Sequence, residues 1–268
     1  MLYALLALIG LMAGLFGGLL GIGGSVVMIP AMNELFGLHQ HQHQAVAMIV
    51  NFFLVLPAVW QHARARAIVW RVVRGQAPAA VVAVLAGVAL SEAPWFQGRG
   101  QVYLSGIFGL FLLYEGATGL VRLFRKAGQD RPFDPNKVSV VRAALLVGLP
   151  TGIVAGLLGV GGGIVMVPLQ RRLLGVPLRQ AIANSATTII PLSLLGASAK
   201  NYAVISSGLV AWWKPLVMAG ALIPTAMAAA FVGARLTHLL PIRQVRIAFV
   251  VLMLIFAARM GLPALAAL

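Results

Sequence analysis

Residues 14–30 read GLFGGLLGIGGSVVMIP, and residues 152–168 read GIVAGLLGVGGGIVMVP. The second stretch repeats the first at an offset of 138, about half the chain. Gly14, Gly18, Gly21, Gly23, Gly24, Met28 and Pro30 align with Gly152, Gly156, Gly159, Gly161, Gly162, Met166 and Pro168. In each copy an apolar run meets a cluster of glycines, poor residues for a helix interior. A second, shorter apolar run follows. The match resumes past a gap, where HQAVAMIVN (43–51) lies opposite RQAIANSAT (179–187). A repeat of this kind predicts one domain made of two homologous halves. The first half is read as 1–122 and the second as 139–268. The polar, proline-bearing stretch FRKAGQDRPFDPNKVS (123–138) joins them.

Composition sets the solvent. The chain is 61% hydrophobic and 9% charged, where a soluble domain carries about a quarter charged residues. Apolar runs long enough to cross a bilayer recur along the chain. A soluble all-α protein would need more solvated surface than five acidic residues provide. Cysteine is absent, which excludes disulfides, thiolate metal sites and cysteine nucleophiles. The net charge of +15 sits in short loops between apolar runs, so it reports topology rather than nucleic-acid binding. The N-terminal MLYALLALIGLMAGLFGG has no positive n-region and no A-x-A cleavage site, and is read as a retained span.

Helices are expected near 3–22, 25–37, 43–61, 75–91 and 101–121, then near 139–159, 163–174, 178–198, 214–233 and 244–262. Segments 25–37 and 163–174 are too short to cross a core of about 30 Å at about 1.5 Å per residue. They read as re-entrant half-helices. If each turns back toward the side its preceding span came from, the basic residues sort cleanly. One side receives Arg64, Arg66, Arg71, Arg74, Arg122, Arg125, Lys126, Arg131, Lys137, Arg142, Arg171, Arg172, Arg179, Arg235, Arg243 and Arg246, sixteen of twenty. The other side has Arg99, Lys200, Lys214 and Arg259. The positive-inside rule puts the rich side in the cytoplasm and both termini outside. Each half then makes an odd number of passes, which inverts the second relative to the first. The expected fold is an all-α polytopic membrane protein: two inverted-topology repeats, about eight spanning helices, and two re-entrant half-helices.

Glycine allows the chain to turn inside the membrane, where irregular backbone is tolerated only inside protein or beside a wet cavity. A half-helix then begins at Ser25 and at Gly163, with free N–H groups and a positive dipole end facing inward. Two such ends near the midplane would form an anion site without a fixed cationic side chain. The competing reading is packing, since Gly14-x-x-x-Gly18 and Gly17-x-x-x-Gly21 are also faces for close helix contact. A dinucleotide fingerprint fails for want of a strand–turn–helix context.

The paired GLLGIGGSVVMIP and GLLGVGGGIVMVP segments resemble the TauE/SafE family of permeases, also called the sulfite exporter family, across essentially the whole chain. The resemblance implies a polytopic carrier of the bacterial inner membrane for small anions, often sulfite, thiosulfate or sulfonates.

The candidate substrate-binding residues are Gly21, Gly23, Gly24 and Ser25 at the first break, and Gly159, Gly161, Gly162 and Gly163 at the second. Polar residues at depth join them: Asn51, Asn184, Ser185, Thr187 and Thr188. Asn51 and Thr187 align through the repeat and are expected on opposite sides of one site. Helix–helix hydrogen bonding, or serine and threonine bonding back to their own helices, is the alternative. Glu115 and Glu34 are candidate proton carriers; Glu115 alternatively pairs with Arg122 or Arg125. The run HQHQHQ (39–44) is read as a solvated outer loop, since the second half has PLRQAI there. Metal binding or pH sensing is its other reading. His62 is expected at an interface. Lys200 and Lys214 are expected to anchor an outer surface beside Tyr202, Trp212 and Trp213, with attraction of anions toward an outer mouth as their other reading.

Function therefore reads as secondary transport of a small anion across a lipid bilayer, with a proton as candidate coupling ion. No Walker lysine motif is present, so ATP is not its direct energy source within this chain. No metal, cofactor or nucleic acid is expected. An anion channel is the alternative. A membrane enzyme is disfavoured, because H-E-x-x-H is absent and the histidines sit in loops or near segment ends.

Overall fold

The computed structural model describes residues 2–124, 133–208, 210–236 and 242–266, and these are helical with no strand. The first half contains α1 (Leu2–Leu20), α2 (Ser25–Phe36), α3 (Gln40–Arg64), α4 (Trp70–Ser91) and α5 (Gln101–Phe124). The second begins with α6 (Val140–Ala143), which passes through a π-helical turn (Ala144–Gly148) into α7 (Leu149–Leu158). After it come α8 (Gly163–Leu173), α9 (Leu178–Ser206), α10 (Trp213–Leu236) and α11 (Ile242–Ala266). Seven segments among the described residues are long and apolar enough to cross a membrane, Val140–Leu158 counting as one. Helix α11 is 25 residues long. With 12 and 11 residues, α2 and α8 reach only about 18 and 16 Å.

Close glycine contacts give the helix directions. Gly10, Gly14 and Gly18 of α1 rest on the backbone of Leu222, Ala226 and Ala230, so α1 and α10 run the same way. Gln42 meets Met218 and Trp60 lies beside Phe231, so α3 also runs with α10. Helices α1 and α3 are therefore parallel, and α2 between them has to turn back. The second half repeats the device. Gly148, Gly152 and Gly156 rest on Gln76, Ala80 and Val84, making α7 parallel to α4. Helix α9 is parallel to α4 as well, through Gln76 to Thr188, Val84 to Gly196 and Ser91 to Lys200. Helix α8 thus returns between α7 and α9.

The halves exchange partners. The first span of each half lies against the other half, α1 on α10 and α7 on α4. Matching helices meet antiparallel: α3 on α9, through Ala45 to Asn201 and Met48 to Gly196. Helices α5 and α11 do the same, through Gly109 to Ala257 and Gly119 to Val250. Small residues are required on these faces. A Cβ on Gly14 would lie 2.2 Å from the Ala226 carbonyl oxygen, and one on Gly156 equally close to that of Val84. Both sequence readings of the glycines are thus realised, by different glycines. Gly14, Gly18, Gly152 and Gly156 pack helices; those further on form the breaks.

One main core runs from Leu6 and Ile9 of α1 through Met28, Val50 and Leu54 to Ile189, Ala226 and Met253. Leu8, Val82, Leu110, Leu194 and Val251 face outward instead. Apolar side chains on the outside and polar ones within suit a lipid surround.

Three sequence expectations are corrected. The HQHQHQ run is not a solvated loop. Helix α3 starts at Gln40, and Gln40, His41, Gln42, His43 and Gln44 are all buried. Their side chains find four partners: Asn33 for Gln40 and His43, Phe96 for His41, Met218 for Gln42, and Leu157 for Gln44. His62, expected at an interface, is buried in the last turn of α3. Lys200, expected at the surface, is 0% exposed. Lys214, Tyr202, Trp212 and Trp213 are exposed as anticipated. The middle of the expected linker, with Arg125, Lys126 and Arg131, lies outside the described residues, as do the side chains of Arg122, Arg243 and Arg246.

Candidate functional site

The breaks between α1 and α2 and between α7 and α8 depend on glycine geometry. Gly21 and the matching Gly159 both take left-handed backbone, at φ 64° and 72°. Only glycine does so freely. The next such residue differs between the copies, Gly23 in the first and Gly162 in the second, which aligns with Gly24. The two turns are therefore related but not identical.

The breaks touch. A Cβ on Gly163 would lie 2.6 Å from the Gly21 carbonyl oxygen and 2.6 Å from the Ile22 Cα. Asn51, fully buried on α3, ties them together. Its Oδ1 accepts from the Gly24 N–H at 2.8 Å, and its Nδ2 donates to Ser25 Oγ at 3.0 Å. Ser25 Oγ also accepts from the Gly161 N–H of the other break, at 3.1 Å. Ser185 on α9 donates to the Gly21 carbonyl at 3.1 Å. Two backbone N–H groups, one from each break, thus converge on neutral protein oxygens in a buried setting. An oxyanion is the external group that could replace those oxygens.

The family description "Sulfite exporter TauE/SafE" matches residues 6–260. The chain belongs to the TauE/SafE family. It is a multi-pass membrane protein of a family whose curated relatives are named probable membrane transporters. The probable membrane transporter protein MamO of Magnetospirillum gryphiswaldense is 27% identical over 288 residues, covering 95% of this chain and 44% of MamO. The probable membrane transporter protein YunE of Bacillus subtilis is 25% identical over 260 residues, covering 88% of this chain and 89% of YunE. MJ0441 of Methanocaldococcus jannaschii, also a probable membrane transporter protein, is 26% identical over 73% of this chain and 71% of its own. The chain thus spans less than half the length of MamO. No solved structure matches it.

A second polar cluster in this TauE/SafE chain gathers the other candidates. Asn184 accepts from the Val69 N–H at 2.7 Å and donates to Gln170 Oε1 at 3.0 Å. Thr188 accepts from Gln76 Nε2 at 2.9 Å and donates to the Asn184 carbonyl. Gln76 also reaches the Met166 sulfur at 3.2 Å. This cluster ties α8 and α9 to the start of α4. Thr187 takes the alternative the sequence also offered, a bond to its own helix. Its hydroxyl bonds back to the Ala183 carbonyl at 2.8 Å, the behaviour of a threonine inside a helix.

Glu34 pairs with Arg259 at 3.1 Å, and both side chains are well exposed. Glu115 is half-buried on α5. Its alternative pairing with Arg122 or Arg125 falls outside the described residues. Among the described residues no group of three histidine or acidic side chains could hold a metal.

Sequence reading missed Gln76, Gln170 and Glu92. The glutamines had a signal, as uncharged polar residues in otherwise apolar segments (GQAPAAVV and VPLQ). Glu92 had a weaker one, as one of five acidic residues and the first after a span.

Proposed function

We propose that the protein is a secondary transporter for a small anion, of the sulfur oxyanion class that includes sulfite, thiosulfate and sulfonates. The observation that carries this reading is the meeting of the two breaks. The Gly24 and Gly161 N–H groups are aimed at Asn51 and Ser25, and both lie at the start of short helices whose dipoles favour negative charge. An arriving oxyanion would take over these donors, and Ser25 and Asn51 would turn their own donors toward it.

Alternating access is supported by the antiparallel pairing of α3 with α9 and of α5 with α11. Such pairing is expected of two halves related by an axis in the membrane plane. The inverted-repeat reading, with both termini outside a bacterial inner membrane, rests on that pairing and on the distribution of arginine and lysine. Glu115, half-buried within a span, and Glu34, paired with Arg259 at the surface, are the candidate proton carriers.

The test is uptake of labelled sulfite and thiosulfate into proteoliposomes holding the purified full chain. Saturable uptake, exchange with unlabelled anion, and a loss of tenfold or more in Asn51→Ala are expected. Flux that neither saturates nor exchanges identifies a channel. Absence of anion flux and of anion binding in folded protein overturns the reading.

A further inference from the structure

A buried ion pair lies away from the breaks. Lys200, on α9, is 0% exposed, and its ammonium has three acceptors: Glu92 Oε1 at 2.6 Å, Ser91 Oγ at 2.8 Å and His41 Nδ1 at 2.9 Å. His41 Nε2 lies 2.9 Å from the Phe96 carbonyl and donates to it, which leaves Nδ1 as the acceptor. The Ser91 hydroxyl donates a hydrogen bond to the Val88 carbonyl at 2.7 Å. Of the three acceptors only Glu92 carries a full negative charge. It is also the one with a way out.

Glu92 follows α4 on the loop to Gln101, and its side chain is 18% exposed. Its second oxygen accepts from Gln97 at 2.8 Å. Glu92 lines an open surface cavity of about 560 Å³ together with Gln97, Gly98, Tyr202, Ala203, Ser206 and Ser207. On one side of Glu92 lies a buried cation held on a rigid helix; on the other lies a cavity bearing amide and hydroxyl groups. Further polar groups continue inward. Ser193 stands two turns from Lys200 on the same face of α9, buried and without a hydrogen-bond partner among the described residues. Ser185, two turns further along, touches the first break.

We propose that Lys200 is an anion-receiving site at the mouth of the α3–α9 seam, and that Glu92 occupies it as a displaceable internal counter-anion until a small oxyanion arrives from the cavity. The displaced carboxylate swings into the cavity and stays solvated beside Gln97. The oxyanion takes over the Lys200 N–H; as a monoanion such as hydrogen sulfite or a sulfonate it keeps the charge of the site unchanged, so neither ion is left buried alone. This site rests on the reading of the protein as an anion transporter and adds a first station before the breaks.

The experiment is a sulfite titration of the purified full chain in detergent, at constant ionic strength against sodium gluconate, read by thermal unfolding. Removing the internal competitor in Glu92→Gln should tighten the apparent sulfite affinity by tenfold or more. Adding Lys200→Gln to that variant should abolish the gain. Should Glu92→Gln be unstable in gluconate, sulfite should restore its melting temperature, whereas a merely structural ion pair would be rescued only by also neutralising Lys200. A sulfite response in Glu92→Gln equal to the parent's overturns the site and leaves the transport reading standing. A gain that survives Lys200→Gln also overturns it. If neither parent nor variant responds to sulfite or thiosulfate, and the parent transports neither, the transport reading fails and this site with it.

Discussion

The contact between the two breaks can be tested with a single methyl group. Gly163 opens α8, and a Cβ there would meet the Gly21 carbonyl oxygen and the Ile22 Cα at 2.6 Å, and the Ile22 carbonyl carbon at 2.8 Å. All three are backbone atoms of a tight turn, so none can rotate aside. Without the contact, glycine to alanine in a helix would stabilise by up to about 1 kcal/mol. Forcing a methyl group into a well-packed contact costs about 1–3 kcal/mol. The clash wins, and Gly163→Ala is expected to lose about 1–2 kcal/mol net. At about 2–4 °C per kcal/mol for a chain near this size, its melting temperature falls by about 2–8 °C. Gly220 is the control. It lies within α10, and a Cβ there meets nothing within 4 Å. Gly220→Ala should match the parent or exceed it. Thermal unfolding of the detergent-purified proteins, side by side, reads the difference in sign. A Gly163→Ala protein as stable as Gly220→Ala, with parental anion uptake, would refute the direct contact and the site built on it.

The remaining predictions concern individual polar groups. Asn51→Ala leaves the buried Gly24 N–H without its acceptor, a loss of about 1–3 kcal/mol, with sulfite uptake falling further than stability alone explains. Asn184→Ala strips the acceptor from the Val69 N–H, so hydrogen exchange at Val69 should accelerate while sulfite affinity stays parental. Thr187→Val should change uptake by less than about twofold, because that hydroxyl serves only its own helix; a large loss would place Thr187 in the pathway. Burial pushes the Glu92 carboxyl up, but the charge and hydrogen bond of the Lys200 ammonium beside it outweigh burial and bring it from 4.5 down to about 2. Its stabilisation is therefore complete above pH 4.5 and is lost as pH falls through about 2, so melting temperatures across that window should fall less steeply in Glu92→Gln than in the parent.

Backbone architecture was legible because it is written in long-range pattern. Apolar length locates the spans, and a doubled glycine cluster locates both breaks to within a residue or two. The short apolar runs after them identify α2 and α8 as too short to span. What pattern could not show is which polar side chains meet. HQHQHQ and Lys200 read as solvent-facing because histidine, glutamine and lysine usually are. Their burial depends on acceptors far away in sequence: Glu92 lies 108 residues from Lys200, and Leu157 lies 113 from Gln44. Thr187 illustrates the same limit, its hydroxyl bonding to its own helix. Sequence alignment fixes a position along a helix but leaves open whether the hydroxyl faces a neighbour or its own backbone.

The two breaks are alike in sequence and unequal in chemistry. Ser25 follows the first glycine cluster, and glycine stands at the equivalent position 163. That hydroxyl bonds Asn51 of its own half and the Gly161 N–H of the other, so the first half supplies the side-chain cap for both turns. The lack of a side chain at 163 is what lets the second turn close onto Gly21 and Ile22. A serine at both positions would hold the turns apart, and glycine at both would leave the Gly161 N–H without this acceptor. One polar and one bare helix start is thus the combination that both closes the contact and satisfies the donors when no anion is bound. Duplication alone supplies two identical turns, and the Ser25–Gly163 difference turns them into a fitted pair. Exchanging the residues, as Ser25→Gly with Gly163→Ser, should therefore not restore parental sulfite uptake, because Asn51 stays beside the first break.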